Sequence, residues 1–172
     1  GWSEDVLRRI REDAIIAKNW NRERQRLDEE PELRQFAERI AESNGLILDI
    51  ASGPGGGFVP MVLRLNAETK ILMSDLSFGL LQEWQNLIRG EGMTCASFAA
   101  FDATKMPIES NSIDIVQDIG GFDNVQGSFQ AIKEAHRVLR SNAVLFSVNS
   151  LLEPGEPSKI PSEISERWRE RS

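Results

Sequence analysis

The spacing of apolar residues changes near residue 45. Before it they recur every three or four positions. Val6, Leu7, Ile10, Ala14 and Ala17 form one stripe in the polar stretch 3–27, and Leu33, Phe36, Ala37 and Ile40 form another in 32–43. Both spacings predict amphipathic helices. Asp28 to Pro31 separates them, and Asn44-Gly45 closes the second as a C-terminal cap. After residue 45, short apolar runs alternate with helical stripes. LILDI (46–50), KILMSDL (70–76) and AVLFSVN (143–149) read as strands, as do segments within MTCASFAAF (93–101) and SIDIVQDIG (112–120). FVPMVLRL (58–65), FGLLQEWQNLIRG (78–90) and SFQAIKEAHRVLR (128–140) read as helices. Pro60 fits the first of these because it lies in the opening turn, and Gly90 ends the second.

Strands that alternate with helices across connections too long for hairpins must run parallel, joined by right-handed crossovers. The pattern predicts an α/β fold, an open doubly wound sheet with helices on both faces. The first, fourth and fifth strands are apolar nearly throughout, which predicts burial on both sides.

Composition narrows the picture modestly. The 172 residues, 40 % apolar and 27 % charged, suit one globular domain with a sizeable core. No apolar run approaches the roughly 20 residues of a membrane span, so no membrane association is expected. The net charge of −7 argues against nucleic acid as a partner. Arg22, Arg24 and Arg26, and again Arg167, Arg169 and Arg171, alternate with other residues including glutamates and read as solvated helix faces. The single cysteine, Cys95, has no internal partner and reads as a small strand residue, so a reducing cytoplasm is the natural compartment. One histidine, His136, and one cysteine provide no metal-ligand cluster, and no metal is expected.

The chemistry begins with LILDIASGPGGGFVP, Leu46 to Pro60. Gly53, Gly55, Gly56 and Gly57 follow directly on the first strand, and a helix follows them. Ligands of such sheets bind beyond the carboxyl ends of the strands, where the strand order reverses. Glycine there lets a ligand approach the backbone, and the helix start offers unpaired N–H groups. The alternative is a tight turn that binds nothing. Asp75 ends the second strand, 22 residues after Gly53, where an acid can accept hydrogen bonds from ribose hydroxyls. Counted from Gly53, the third glycine of a dinucleotide fingerprint falls on Phe58, which weakens a nicotinamide reading.

LDIASGPGGG, ILMSDLS, FDATKMPIESNSIDIV and AIKEAHRVLRSNAVLFSV, in that order, resemble the motifs of the class I S-adenosylmethionine-dependent methyltransferases, in particular their small-molecule, quinone-biosynthesis-like branch. The resemblance covers about residues 33–150. Ala51 stands where the first motif usually has a glycine, and Ser141-Asn142 stands where a Gly-Gly turn is usual. It implies a Rossmann-like sheet of order 3-2-1-4-5, with S-adenosyl-L-methionine as cofactor and a small-molecule methyl acceptor as partner. Carried onto this sequence, it places Asp49, Ala51, Ser52, Gly53 and Gly55 at the methionine portion. Asp75 takes the ribose, with Leu76 flanking the adenine, and Asp102 and Ala103 meet the base. Asp118, Ile119 and Gly120, continuing to Gly121, line the methyl side. Asp118 and Asp123 are the candidate bases where the acceptor must lose a proton; loop capping is the competing role for Asp123, and helix or turn capping for Asp102. Trp20 is either a cover for the site or a packing residue. His136 falls at a position that is structural in the family.

The implied organisation is a helical N-terminal cap (1–43), a cofactor-binding α/β core (44–150) and a Pro-rich tail with a short helix (151–172). The family's final antiparallel hairpin has no counterpart here, which predicts an exposed edge at the fifth strand. Cover is expected either from the tail, through Leu151, Leu152, Ile160, Ile164 and Trp168, or from a second copy in a homodimer. Because the missing segment often contributes to the acceptor pocket, the functional alternative is a catalytically incomplete module that binds the cofactor as a sensor or interaction domain.

Overall fold

The computed structural model describes residues 31–53, 58–122 and 125–148. The stripe at 3–27, Trp20, Gly55, Asp123 and the tail lie outside them. In chain order the elements are α1 (Pro31–Ala41), β1 (Leu46–Asp49), α2 (Phe58–Leu65), β2 (Lys70–Asp75), α3 (Phe78–Gly90), β3 (Ala96–Ala100), β4 (Ile113–Ile119), α4 (Ser128–Val138) and β5 (Leu139–Val148).

The five strands form one sheet in the order β3-β2-β1-β4-β5. Every neighbouring pair is parallel. The order the sequence predicts is the order observed. Alternation of side chains divides the core in two. Ile47, Ile71, Met73 and Ile115 meet Leu33, Ala37 and Ile40 of α1, Phe58 and Val62 of α2, and Leu81, Trp84 and Ile88 of α3. On the other face, Leu48 and Val116 meet Ala131, Ala135 and Val138 of α4. The strand order reverses between β1 and β4, so their exits lie side by side.

The last strand differs from the expectation in two ways. The helical stripe of 128–140 predicts that Leu139 and Arg140 continue α4, but α4 ends at Val138 and β5 begins at Leu139. Leu139 pairs with Ile113, and pairing resumes at Val144 opposite Ile115. The residues between bulge out of the ladder, with Asn142 at φ +66°. Asparagine tolerates that region better than most residues, which is how Ser141-Asn142 makes the turn without glycine. Arg140, on the bulge, pairs with Asp114 of β4. Second, β5 is not buried on both sides: Val144 is 44 % exposed, whereas Ile115, its register partner on β4, is buried. Among the described strands β5 lies at the edge of the sheet, and hydropathy along a strand does not report how many neighbours it has.

Candidate functional site

Three strand exits meet above the sheet. The first is at β1. Asp49 is only 5 % exposed. Its Oδ2 accepts from Ser52 Oγ and its Oδ1 from Gln117 Nε2 at 3.0 Å. Its backbone carbonyl accepts from Ser74 Oγ at 2.8 Å, and Ser52 N donates back to the Ser74 carbonyl at 2.9 Å. Burial pushes the Asp49 carboxyl up to about 7; the hydrogen bonds from Ser52 and Gln117 oppose the shift, and the charges of Asp118 and Asp75 add to it. The site therefore contains a carboxyl held well above the ordinary carboxylate range by its burial.

The loop beyond Asp49 is tied on both sides. Gly53 N donates to Asp75 Oδ2 at 2.9 Å, and the Gly53 carbonyl accepts from Trp84 Nε1 at 2.8 Å. Gly53 sits at φ +56° and Ala51 at φ +50°. An L residue in that region costs about 1–2 kcal/mol, against about 0.5–1 kcal/mol for glycine's extra freedom in the unfolded chain. Ala51→Gly is thus expected to raise stability by about 0.5–1 kcal/mol. Urea denaturation checks this; a lower midpoint for the variant would show that Ala51 is at ease.

At the second exit, Asp75 also accepts from Ser77 N through Oδ1 at 2.8 Å, and Ser77 caps α3. Leu76 is half-buried beside it. The Asp75 carbonyl accepts from Phe101 N at 3.0 Å, which joins the exit of β3 to this side. Asp102 is exposed, and its Oδ1 accepts from Thr104 N at 2.8 Å and Thr104 Oγ1 at 2.7 Å. That is the capping turn weighed above as its competing role. Ala103 is buried with Phe101 and Met106. The segment after it is held from α4: Arg137 donates to the carbonyls of Met106 at 3.0 Å and Ile108 at 2.8 Å, while Glu134 accepts from Met106 N at 2.8 Å. The Arg137 guanidinium holds the Glu134 carboxyl below its usual range. His136, between them in sequence, is exposed.

The third exit is at β4. Asp118 is fully buried, and its Oδ1 accepts from Gly121 N at 2.7 Å and Phe122 N at 2.9 Å, its Oδ2 from Ser147 Oγ at 2.9 Å. Ile119 and Gly120 are half-buried, and Gly120 N donates to the Val148 carbonyl at 2.6 Å. A Cβ on Gly121 would lie 2.5 Å from Asp118 Oδ1, 2.7 Å from the Ala51 Cβ and 3.0 Å from the Ile50 carbonyl oxygen. The β1 and β4 exits therefore touch at Gly121.

The structure brings Asp49, Ala51, Ser52, Gly53 and Asp75 into one hydrogen-bonded loop, with Asp118 to Gly121 against it and Asp102-Ala103 at the neighbouring exit. Sequence reasoning passed over Gln117, Trp84, Ser74 and the Glu134–Arg137 clasp. A buried strand with a glutamine in its centre was the available signal for Gln117; nothing local marks Trp84, since its tryptophan also fits a packing stripe. Among the described residues, no group of three or more His, Cys, Asp or Glu side chains is arranged to hold a metal, and no helix is long and apolar enough to cross a membrane.

Comparison with known proteins gives this geometry a family. A family profile described as a methyltransferase domain matches residues 48–147. The ubiquinone/menaquinone biosynthesis C-methyltransferase UbiE of Idiomarina loihiensis is 26 % identical over 95 residues, 55 % of this chain and 38 % of that protein. The chain thus spans about two fifths of the length of the curated relative it matches. A SAM-dependent methyltransferase from Aquifex aeolicus has the same fold, with a TM-score of 0.70 at 16 % identity over 93 % of this chain and 88 % of that one. The [4+2]-cyclase SpnF also shares it, with a TM-score of 0.62 at 21 % identity over 72 % of this chain and 48 % of that one. With more than half its length matched, from the buried end of β1 to the end of β5, this chain belongs to the methyltransferase-domain family.

Proposed function

We propose that the chain binds S-adenosyl-L-methionine at the exits of β1, β2 and β4 and transfers its methyl group to a small molecule. The observation that carries this reading is the tied loop: Asp49–Ser52, Gly53–Asp75 and Gly53–Trp84 hydrogen bonds fix a backbone turn directly beside the strand-order reversal. The residues fit the ligand. In support, Asp49, Asp75 and Asp118 bring three acids to adjoining strand exits, which suits a ligand whose net charge is positive, and the charged groups that raise Asp49 are themselves acidic.

When bound, the cofactor supplies a methyl group made electrophilic by its sulfonium. The protein's part is to align an acceptor with it and exclude water, which is catalysis by orientation. In this reading Asp75 receives the ribose hydroxyls while keeping the Gly53 and Ser77 amides, and Asp102-Ala103 borders the base. Asp118 holds the β4 exit loop against the methyl side; service as a base would require it to release hydrogen bonds from Gly121, Phe122 or Ser147. The alternative reading is cofactor binding without transfer, since a shared fold does not by itself fix the reaction: a [4+2]-cyclase has this one too.

Calorimetric titration with S-adenosyl-L-methionine, S-adenosylhomocysteine and NAD tests the binding. Heat from the first two and none from NAD is expected, and transfer of a labelled methyl group to a small-molecule panel then separates the two readings. Asp75→Ala is expected to weaken cofactor binding by about 1–3 kcal/mol, the scale of hydrogen bonds to a charged group. A folded variant with an unchanged dissociation constant would remove Asp75 from the ribose.

A further inference from the structure

Gln117 is a polar side chain in an apolar place. It is fully buried in β4. Ile115 and Ile119 share its face of the strand, and its register partners are Asp49 on β1 and Phe146 on β5. Its Nε2 donates to Asp49 Oδ1 at 3.0 Å, while its Oε1 is buried and accepts from none of the described residues. A leucine or methionine would fill similar space and leave no carbonyl oxygen without a donor. A buried glutamine with one half unmatched is explained by what the other half does, and among the described residues that half donates to the Asp49 carboxylate.

That carboxylate leads into the loop. Ser52 Oγ donates to its other oxygen, Ser52 N is tied to Ser74, and Gly53 N to Asp75. Among the described residues, the other charged groups acting on Asp49 are Asp118 from β4 and Asp75 from β2, both acids. Ionised Asp49 is thus held by two neutral donors, Ser52 and Gln117, and a cationic ligand is the natural complement to it. S-adenosyl-L-methionine carries such a cation in the ammonium of its amino-acid end.

We propose that Gln117 is a positioning residue for the cofactor: by donating to Asp49 it keeps that carboxylate ionised and oriented, with Ser52, to receive the ligand's amino-acid end. The proposal rests on the cofactor reading above. The Asp49 carboxyl sits at about 7 with the Gln117 hydrogen bond already favouring its ionised form. Loss of the amide lets the carboxyl keep its proton to higher pH, and a neutral carboxyl attracts an ammonium weakly.

The test compares wild type with Gln117→Leu and Gln117→Met, titrated with S-adenosyl-L-methionine and with 5′-methylthioadenosine, which keeps the adenosine and a thioether but lacks the amino-acid end. If the lost amide disfavours the ionised carboxyl by about tenfold, affinity for S-adenosyl-L-methionine falls about fivefold at pH 7 and the gap shrinks to about 1.5-fold or less at pH 8.5. The ligand's own titration cancels in the ratio of the two proteins. Affinity for 5′-methylthioadenosine stays equal, and both variants keep the single cooperative urea transition of wild type. Equal weakening toward both ligands, independent of pH, would mean a merely structural glutamine and would overturn the proposal. Wild type provides a check that needs no variant. At pH 6.5, in buffers of different ionisation heat, binding of S-adenosyl-L-methionine releases most of one proton and binding of 5′-methylthioadenosine releases none; no difference between them also overturns it. If neither ligand binds wild type, the cofactor reading fails and the proposal with it. If both bind but behave alike, only the role of Gln117 falls.

Discussion

Asp49→Asn is expected to make the folded chain more stable, by an amount that grows with pH. The unfolded chain ionises Asp49 near 3.8, whereas the folded chain holds the proton up to about 7. Below about pH 4 the carboxyl is neutral in both states and the raised value costs nothing. Between them the unfolded state ionises and the folded state does not, so folding loses about 1.4 kcal/mol per pH unit. Above about pH 8 both are ionised and the loss levels off at about 4 kcal/mol as an upper figure. Asparagine reproduces the neutral side chain: its oxygen accepts from Gln117 Nε2 and its amide donates to Ser52 Oγ. The variant should therefore gain about 2–4 kcal/mol over wild type at pH 8, and the gain should shrink steadily from pH 7 to pH 5. Urea unfolding of both proteins from pH 5 to 9 measures this difference, with every other titrating group common to the two. A difference that does not change with pH would mean that Asp49 ionises freely in the folded state. The same substitution removes the anion proposed to face the cofactor, so stability and binding should move in opposite directions, as they do where a strained site is retained for function.

The second large effect is expected at Gly121. Alanine there puts a Cβ 2.5 Å from Asp118 Oδ1, 2.7 Å from the Ala51 Cβ and 3.0 Å from the Ile50 carbonyl oxygen. None of these neighbours yields easily. Asp118 is buried and accepts from the Gly121 and Phe122 amides. Ala51 is held at φ +50° in the loop tied through Ser52 and Gly53. Relief requires the β1 and β4 exits to part, at about 3 kcal/mol on the scale of overpacked interiors, with the proposed cofactor site deformed in the process. Gly121→Ala should lower both the unfolding midpoint and the affinity for S-adenosyl-L-methionine. Adding Ala51→Gly removes the 2.7 Å approach and should restore about 1 kcal/mol beyond the sum of the single effects. Strict additivity in that double-mutant cycle would show that the two exits do not meet through these side chains.

The sequence by itself determined the layout. Apolar period assigned Phe58–Leu65 and Phe78–Gly90 to helices with the bounds observed, because each stripe is bracketed by residues that stop a helix. The alternation of strands and helices determined the parallel sheet, and the motif resemblance its order, since right-handed crossovers leave few other arrangements. The same pattern puts Asp49, Asp75 and Asp118 near strand exits. The tertiary structure decided what local pattern does not encode. Leu139 joins β5 rather than α4 because it finds a partner in Ile113, 26 residues earlier in the chain. Val144 is exposed because its strand lies at the edge of the described sheet, a property of neighbours and not of hydropathy. Gln117 and Asp49 are 68 residues apart, and Trp84 and Gly53 are 31 apart; only pairing of β1 with β4 and packing of α3 on the sheet bring them within hydrogen-bond distance. The ionisation of Asp49 follows from the same cause, because burial is conferred by the whole core and no residue carries it alone.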